Sequence, residues 1–113
     1  MEAARKGIIT EEMRAVARKE YRTEEEIRDL VAKGQVAICA NKRHKCLDPN
    51  GVGSMLRTKI NVNLGVSKDC KDYEVEMEKV MAAVNMGAEA IMDLSSHGNT
   101  QPFRRKLTQE CPA

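Results

Sequence analysis

The stretch "KINVNLGVSKDCKDYEVEMEKVMAAVNMGAEAIMDLSS", Lys59 to Ser96, decides the fold. Thr58 to Leu64 is rich in Ile and Val and alternates only loosely, a pattern that suits a strand covered on both faces. Gly65 to Asp69 supplies a turn. Tyr73, Met77, Val80, Met81 and Val84 then recur on one face of a helix, and Gly87 stops it. Ala88 to Leu94 is a second apolar strand. Two such strands with a helix of about 15 residues between them predict a parallel pair joined by a right-handed crossover.

Outward from that unit, the polar turn "SSHGN" leads to a last helix. Thr100 is its expected cap, Pro102 lies in its first turn, Phe103 and Leu107 stand one turn apart, and Pro112 ends it. On the other side, Thr10 caps a helix that opens with Glu11 and Glu12 and presents Met13, Val16 and Ala17 as its apolar stripe up to Glu20. Thr23 and Glu26 form a capping-box pattern before Ile27, Leu30 and Val31, with Gly34 as the stop. Gln35 to Ala40 reads as a short buried strand, and Asn41 to Met55, with its Asp48-Pro49-Asn50-Gly51 turn chemistry, reads as a loop. Within that loop Lys42, Arg43, His44 and Lys45 form a basic run that either stays solvated or meets an anion. The fold class is therefore α/β, divided into a helical segment with one strand and a long loop over 1–56, and two βα units over 57–113. Two parallel strands cannot cover themselves, so the sheet is expected to stop early.

Composition narrows the function. The 113 residues hold no Trp, one Phe and two Tyr, which leaves Val, Ile, Leu, Met and Ala to build the core and removes aromatic stacking on bases. Nineteen basic against seventeen acidic residues give a net charge of +2 spread along the chain, which argues against nucleic acid as a partner. No apolar run approaches the roughly 20 residues of a membrane span, and "MEAARKG" lacks the apolar core of a signal peptide. The expected compartment is the cytoplasm. Cys39, Cys46, Cys70 and Cys111 contain no Cys-x2-Cys pair and are expected to be reduced thiols.

Ligands in parallel α/β folds bind beyond the carboxyl ends of the strands. That rule selects Asn61, Asn63 and Gly65 on one strand, and Met92, Asp93, Ser95, Ser96 and His97 on the next. Asn61 and Asn63 share one strand face and present paired amides, which can donate to and accept from a heterocycle or ribose. Met92 lies 29 residues after Asn63, close to one β-α-β repeat, so the two can stand at equivalent depth on neighbouring strands. Asp93 is either a general base or a cap for its own turn, and His97 either a phosphate or proton group or an exposed turn residue. Neither His97 nor His44 has further ligands at metal spacing, so no metal is assigned. "GVGSML", Gly51 to Leu56, echoes a phosphate loop only in part and precedes its strand.

The runs "ARKGIITEEM", "AICANKRH", "GVGSMLRTKINVNLGVSKDC" and "GAEAIMDLSSHGNTQPFRRKL" resemble the N-terminal part of the phosphomethylpyrimidine synthase family over essentially the whole chain. The resemblance implies an N-terminal domain followed by the first two βα units of a (βα)8 barrel, incomplete in this chain. It also implies radical chemistry in the thiamin pathway, in which S-adenosylmethionine and a [4Fe-4S] cluster turn 5-aminoimidazole ribotide into hydroxymethylpyrimidine phosphate. Substrate contacts carry over to Asn63 and Met92, with Asn61 and the "DLSS" turn beside them. The family's Cys-x2-Cys-x4-Cys cluster motif and its downstream His metal ligands have no counterpart here, so these residues are expected to bind no cofactor alone and to need the remainder of the enzyme, or a homodimer partner. Two alternatives share these residues: a 5-hydroxybenzimidazole synthase of anaerobic cobamide synthesis, and a non-catalytic binding module.

Overall fold

The structure, a computed structural model, describes residues 1–113. The chain is mixed α/β with two small sheets, and it divides into two compact units. The first comprises Met1–Asn41 with Asp48–Thr58, and the second Lys42–Leu47 with Lys59–Ala113.

In the first unit, two helices pack on a two-stranded antiparallel sheet and a short first helix packs on one of them. The helices are α1 (Glu2–Arg5), α2 (Glu11–Glu20) and α3 (Glu24–Ala32), and the strands are β1 (Val36–Cys39) and β2 (Asn50–Gly53). The local signals act as sequence chemistry requires. Thr10 Oγ1 accepts the Met13 N–H, and Thr23 and Glu26 form the full reciprocal capping box. The chain leaves α3 with Gly34 N–H bonded to Val31 O and Gln35 N–H bonded to Leu30 O. Met13, Val16, Ala17, Ile27, Val31 and Val36 form the buried core, with Ala4 of α1 added to it. Each large side chain among them contributes about 1.5 to 3 kcal/mol by leaving water.

The one-turn helix α1 carries no periodic apolar signal, and no element is expected there. More important, the expected loop from Asn41 to Met55 contains β2, which pairs with β1 in the register Val36↔Gly53 to Cys39↔Asn50. Its Asn-Gly-Val-Gly sequence reads as turn chemistry, yet the glycines serve close approach. A Cβ on Gly53 would sit 2.1 Å from the Gln35 carbonyl oxygen, and one on Gly51 would sit 2.8 Å from both Val16 Cγ1 and Leu56 Cδ1.

The second unit is built from β3 (Asn61–Leu64), α4 (Tyr73–Asn85), β4 (Ala90–Asp93) and α5 (Gln101–Glu110). β3 and β4 are parallel, as their order with α4 between them predicts. Asp72 caps α4 by accepting the N–H groups of Glu74 and Val75. Met77, Val80, Phe103 and Cys111 are buried together, with Leu64 and Ile91 from the strands packed against them. The Tyr73 and Phe103 rings stack with centroids 5.5 Å apart. The basic run is fastened to α5: the Lys45 N–H donates to Thr108 O at 3.2 Å, and His44 Nε2 lies 2.6 Å from the Cys111 carbonyl.

The expectation of strands covered on both faces is corrected here. No strand residue is fully buried: Val62, Leu64, Ala90, Ile91 and Asp93 are partly covered, while Asn61, Asn63 and Met92 are exposed. The helices of this unit cover one face of a sheet that has no third strand. The expected cap of α5 is also corrected. Thr100 already has near-helical dihedrals (φ −77, ψ −11) and makes no side-chain cap, and Asn99 Oδ1 accepts the Gln101 N–H instead.

Candidate functional site

Strand alternation puts Asn61, Asn63, Ala90 and Met92 on one face of the β3–β4 sheet, opposite the face that Leu64 and Ile91 turn to the core. Asn63 and Met92 are direct register partners, and Asn61 pairs with Ala90. The structure thus brings together the three residues singled out in the sequence. Asn61 Nδ2 donates to Asn63 Oδ1 at 2.8 Å, so the two amides orient each other and leave the Asn63 amide N–H groups toward solvent. Met92 stands beside them with 49% of its surface exposed. An amide pair next to a thioether offers in-plane hydrogen bonding beside a soft apolar contact, which suits the edge and face of a small polar ring.

Past the strands, the two exits are tied to each other. Leu94 N–H donates to Leu64 O at 2.7 Å, Ser96 N–H to Val66 O at 3.0 Å, and Val66 N–H to Ser95 Oγ at 3.1 Å. Gly65 makes this possible: with φ +142, a Cβ there would meet Ser95 N at 2.4 Å.

Asp93 resolves to the turn-capping role. Its Oδ1 accepts the Ser95 N–H at 2.9 Å and its Oδ2 accepts Arg104 Nε at 2.6 Å. Burial pushes this carboxyl upward, but hydrogen bonds from Ser95 and Arg104 outweigh it and hold the group below the ordinary carboxylate value. A carboxylate so engaged is a poor general base. His97 lies in an exposed turn, where its carbonyl accepts the Tyr73 hydroxyl at 3.3 Å.

Sequence reasoning missed Glu76, which is 1% exposed. Its Oε2 accepts the Gly65 N–H at 2.9 Å and its Oε1 accepts Lys79 Nζ at 2.6 Å. A signal existed, because Glu76 falls three residues after Tyr73 and four before Val80 on the apolar stripe of α4.

Cys39 and Cys70 are exposed, Cys46 is half-buried with its thiol donating to the Cys111 carbonyl at 3.0 Å, and Cys111 is buried. No group of three or more His, Cys, Asp or Glu is placed to hold a metal ion. The side chains of residues 1–113 therefore do not fit an iron-sulfur cluster, whose iron needs convergent thiolates. No helix is long and apolar enough to cross a membrane.

A family profile described as the radical SAM ThiC family matches residues 1–113. Among curated proteins, the chain is 60% identical over 113 residues to the phosphomethylpyrimidine synthase of Clostridioides difficile (strain 630). It is 58% identical over the same length to that of Clostridium botulinum (strain Hall). Each alignment covers 100% of this chain, and the chain spans 26% of the length of these relatives.

Proposed function

This chain belongs to the radical SAM ThiC family, and from that premise we propose that it forms part of the substrate site of a phosphomethylpyrimidine synthase. The observation that carries the reading is the identity of 60% with such a synthase over every residue of this chain. The complete enzyme would convert 5-aminoimidazole ribotide into hydroxymethylpyrimidine phosphate for thiamin synthesis in the cytoplasm, as a radical S-adenosylmethionine lyase. β3 and β4 would be the first two strands of its (βα)8 barrel, and the face bearing Asn61, Asn63 and Met92 would line the lumen. In that setting Asn63 would hydrogen-bond the ribonucleotide, Met92 would pack on its ring, and Asn61 would hold the Asn63 amide in plane.

S-adenosylmethionine and a [4Fe-4S] cluster would supply the radical chemistry. Residues 1–113 contribute no ligand set for the cluster, so no step is assigned to them beyond binding and orientation. The remainder of the enzyme, or a homodimer partner, would bring the cluster. The relatives named above carry the pyrimidine synthase name, which favours a pyrimidine product over 5-hydroxybenzimidazole.

The test is Asn63→Ala in the complete enzyme. It should weaken binding of 5-aminoimidazole ribotide by roughly 1 to 3 kcal/mol through the lost hydrogen bonds. Titration calorimetry that finds the same affinity in variant and parent would refute the assignment.

A further inference from the structure

Glu20 and Glu76 are the charged residues buried in this chain, and each bonds a backbone N–H. Glu20 serves the first unit, where its Oε2 accepts the Arg57 N–H at 2.7 Å. Glu76 acts at the strand exits of the second. Burying a carboxylate is costly, and an apolar side chain of similar volume would fill the same space without that cost. Packing alone therefore gives no reason for Glu at this position. Its contacts do.

The N–H that Glu76 binds belongs to Gly65, one residue past the end of β3 and two past Asn63. Gly65 is also where β3 presses against the exit of β4, with no room for a Cβ before Ser95 N. The next residue is bonded to β4's exit in both directions, Val66 N–H to Ser95 Oγ and Ser96 N–H to Val66 O. From α4, the Glu76 carboxylate thus anchors the backbone N–H that lies between Leu64 and Val66, the two residues bonded to the exit of β4. Lys79, at 2.6 Å and half-exposed, supplies the compensating charge. Moving Gly65 would shift Asn63 along its strand relative to its register partner Met92, and displacements of about 1 Å suffice to degrade a binding constellation.

We propose that Glu76 is a positioning residue for substrate binding, holding Asn63 level with Met92 through the Gly65 amide. This rests on the reading of Asn63 and Met92 as substrate contacts.

Two variants of the complete enzyme separate reach from charge. Glu76→Gln keeps the length and an oxygen acceptor but loses the charge, whereas Glu76→Asp keeps the charge and loses one methylene of reach. The positioning role predicts ribotide affinity within about threefold of the parent for Gln and about tenfold weaker for Asp, the loss expected of one hydrogen bond. A purely electrostatic or ion-pair role predicts the opposite order. If both variants bind like the parent while Asn63→Ala binds more weakly, the positioning role is wrong and the substrate site stands. If Asn63→Ala also binds like the parent, the substrate reading itself fails. Should the Asp variant not fold, hydrogen exchange decides: the Gly65 amide must be protected in the parent and in Glu76→Gln, and rapid exchange of that amide in either overturns the proposal.

Discussion

At the scale of single residues, hydrogen-bond partners decide more than residue type. Asp93 is half of a strand-exit network, and its carboxyl is held below the ordinary value by Ser95 and Arg104 despite burial. A group whose folded-state value is depressed stabilises the protein above its unfolded value and loses that contribution as pH falls through the folded value. Melting temperatures of the parent and Asp93→Asn should accordingly differ at neutral pH, and the gap should close as pH drops below 3.8, the ordinary value for Asp. A gap that persists unchanged into strong acid would show that the charge of Asp93 contributes nothing. The thiols follow the same logic. Burial pushes Cys111 up, while Cys39 and Cys70 are exposed. Because the thiolate is the reactive form, maleimide at mildly alkaline pH should label Cys39 and Cys70 first and Cys111 last, as peptide mass mapping can order them.

At the scale of elements, what the sequence reveals depends on whether the determining contacts are local. The Thr23–Glu26 capping box was legible because every atom in it lies within one helical turn. So was the parallel pairing of β3 with β4, since chain order and helix length fix it. β2 was not, because its glycines answer to Gln35 and Val16, which are distant in sequence. The open face of the β3–β4 sheet was hidden for the same reason: Ile and Val runs report β propensity, but coverage depends on neighbours that propensity does not register. For the candidate site, the positions of Asn61, Asn63 and Met92 followed from period-two alternation and a β-α-β repeat. Glu76 escaped because its partner Gly65 belongs to another element. Gly53 tests the reading of β2. Its φ of +148 and the 2.1 Å approach to Gln35 O leave no place for a methyl, so Gly53→Ala should destabilise the first unit by more than about 1 kcal/mol. A denaturant midpoint equal to that of the parent would mean the hairpin is not paired as described.

At the scale of the whole molecule, the decisive feature is a two-stranded parallel sheet with one bare face. Parallel sheets are stable where both faces are covered and several strands share the ladder. β3 and β4 have each other and the helices of one side, while Met92 and Leu94 stay about half exposed beside the asparagines. Strand edges without partners and exposed apolar side chains both favour association. The 113-residue polypeptide expressed by itself should therefore sediment as concentration-dependent oligomers. Replacing Met92 and Leu94 together by Ser removes the large apolar side chains of that face and leaves the ladder intact, so the double variant should shift toward monomer at equal concentration. The same substitutions in a complete enzyme should weaken ribotide binding through Met92 without changing its oligomeric state, because there further strands would occupy the edges. A parent polypeptide that stays monomeric over a hundredfold concentration range and melts cooperatively would instead indicate that the second unit is satisfied as it stands, favouring an independent binding module over part of a barrel.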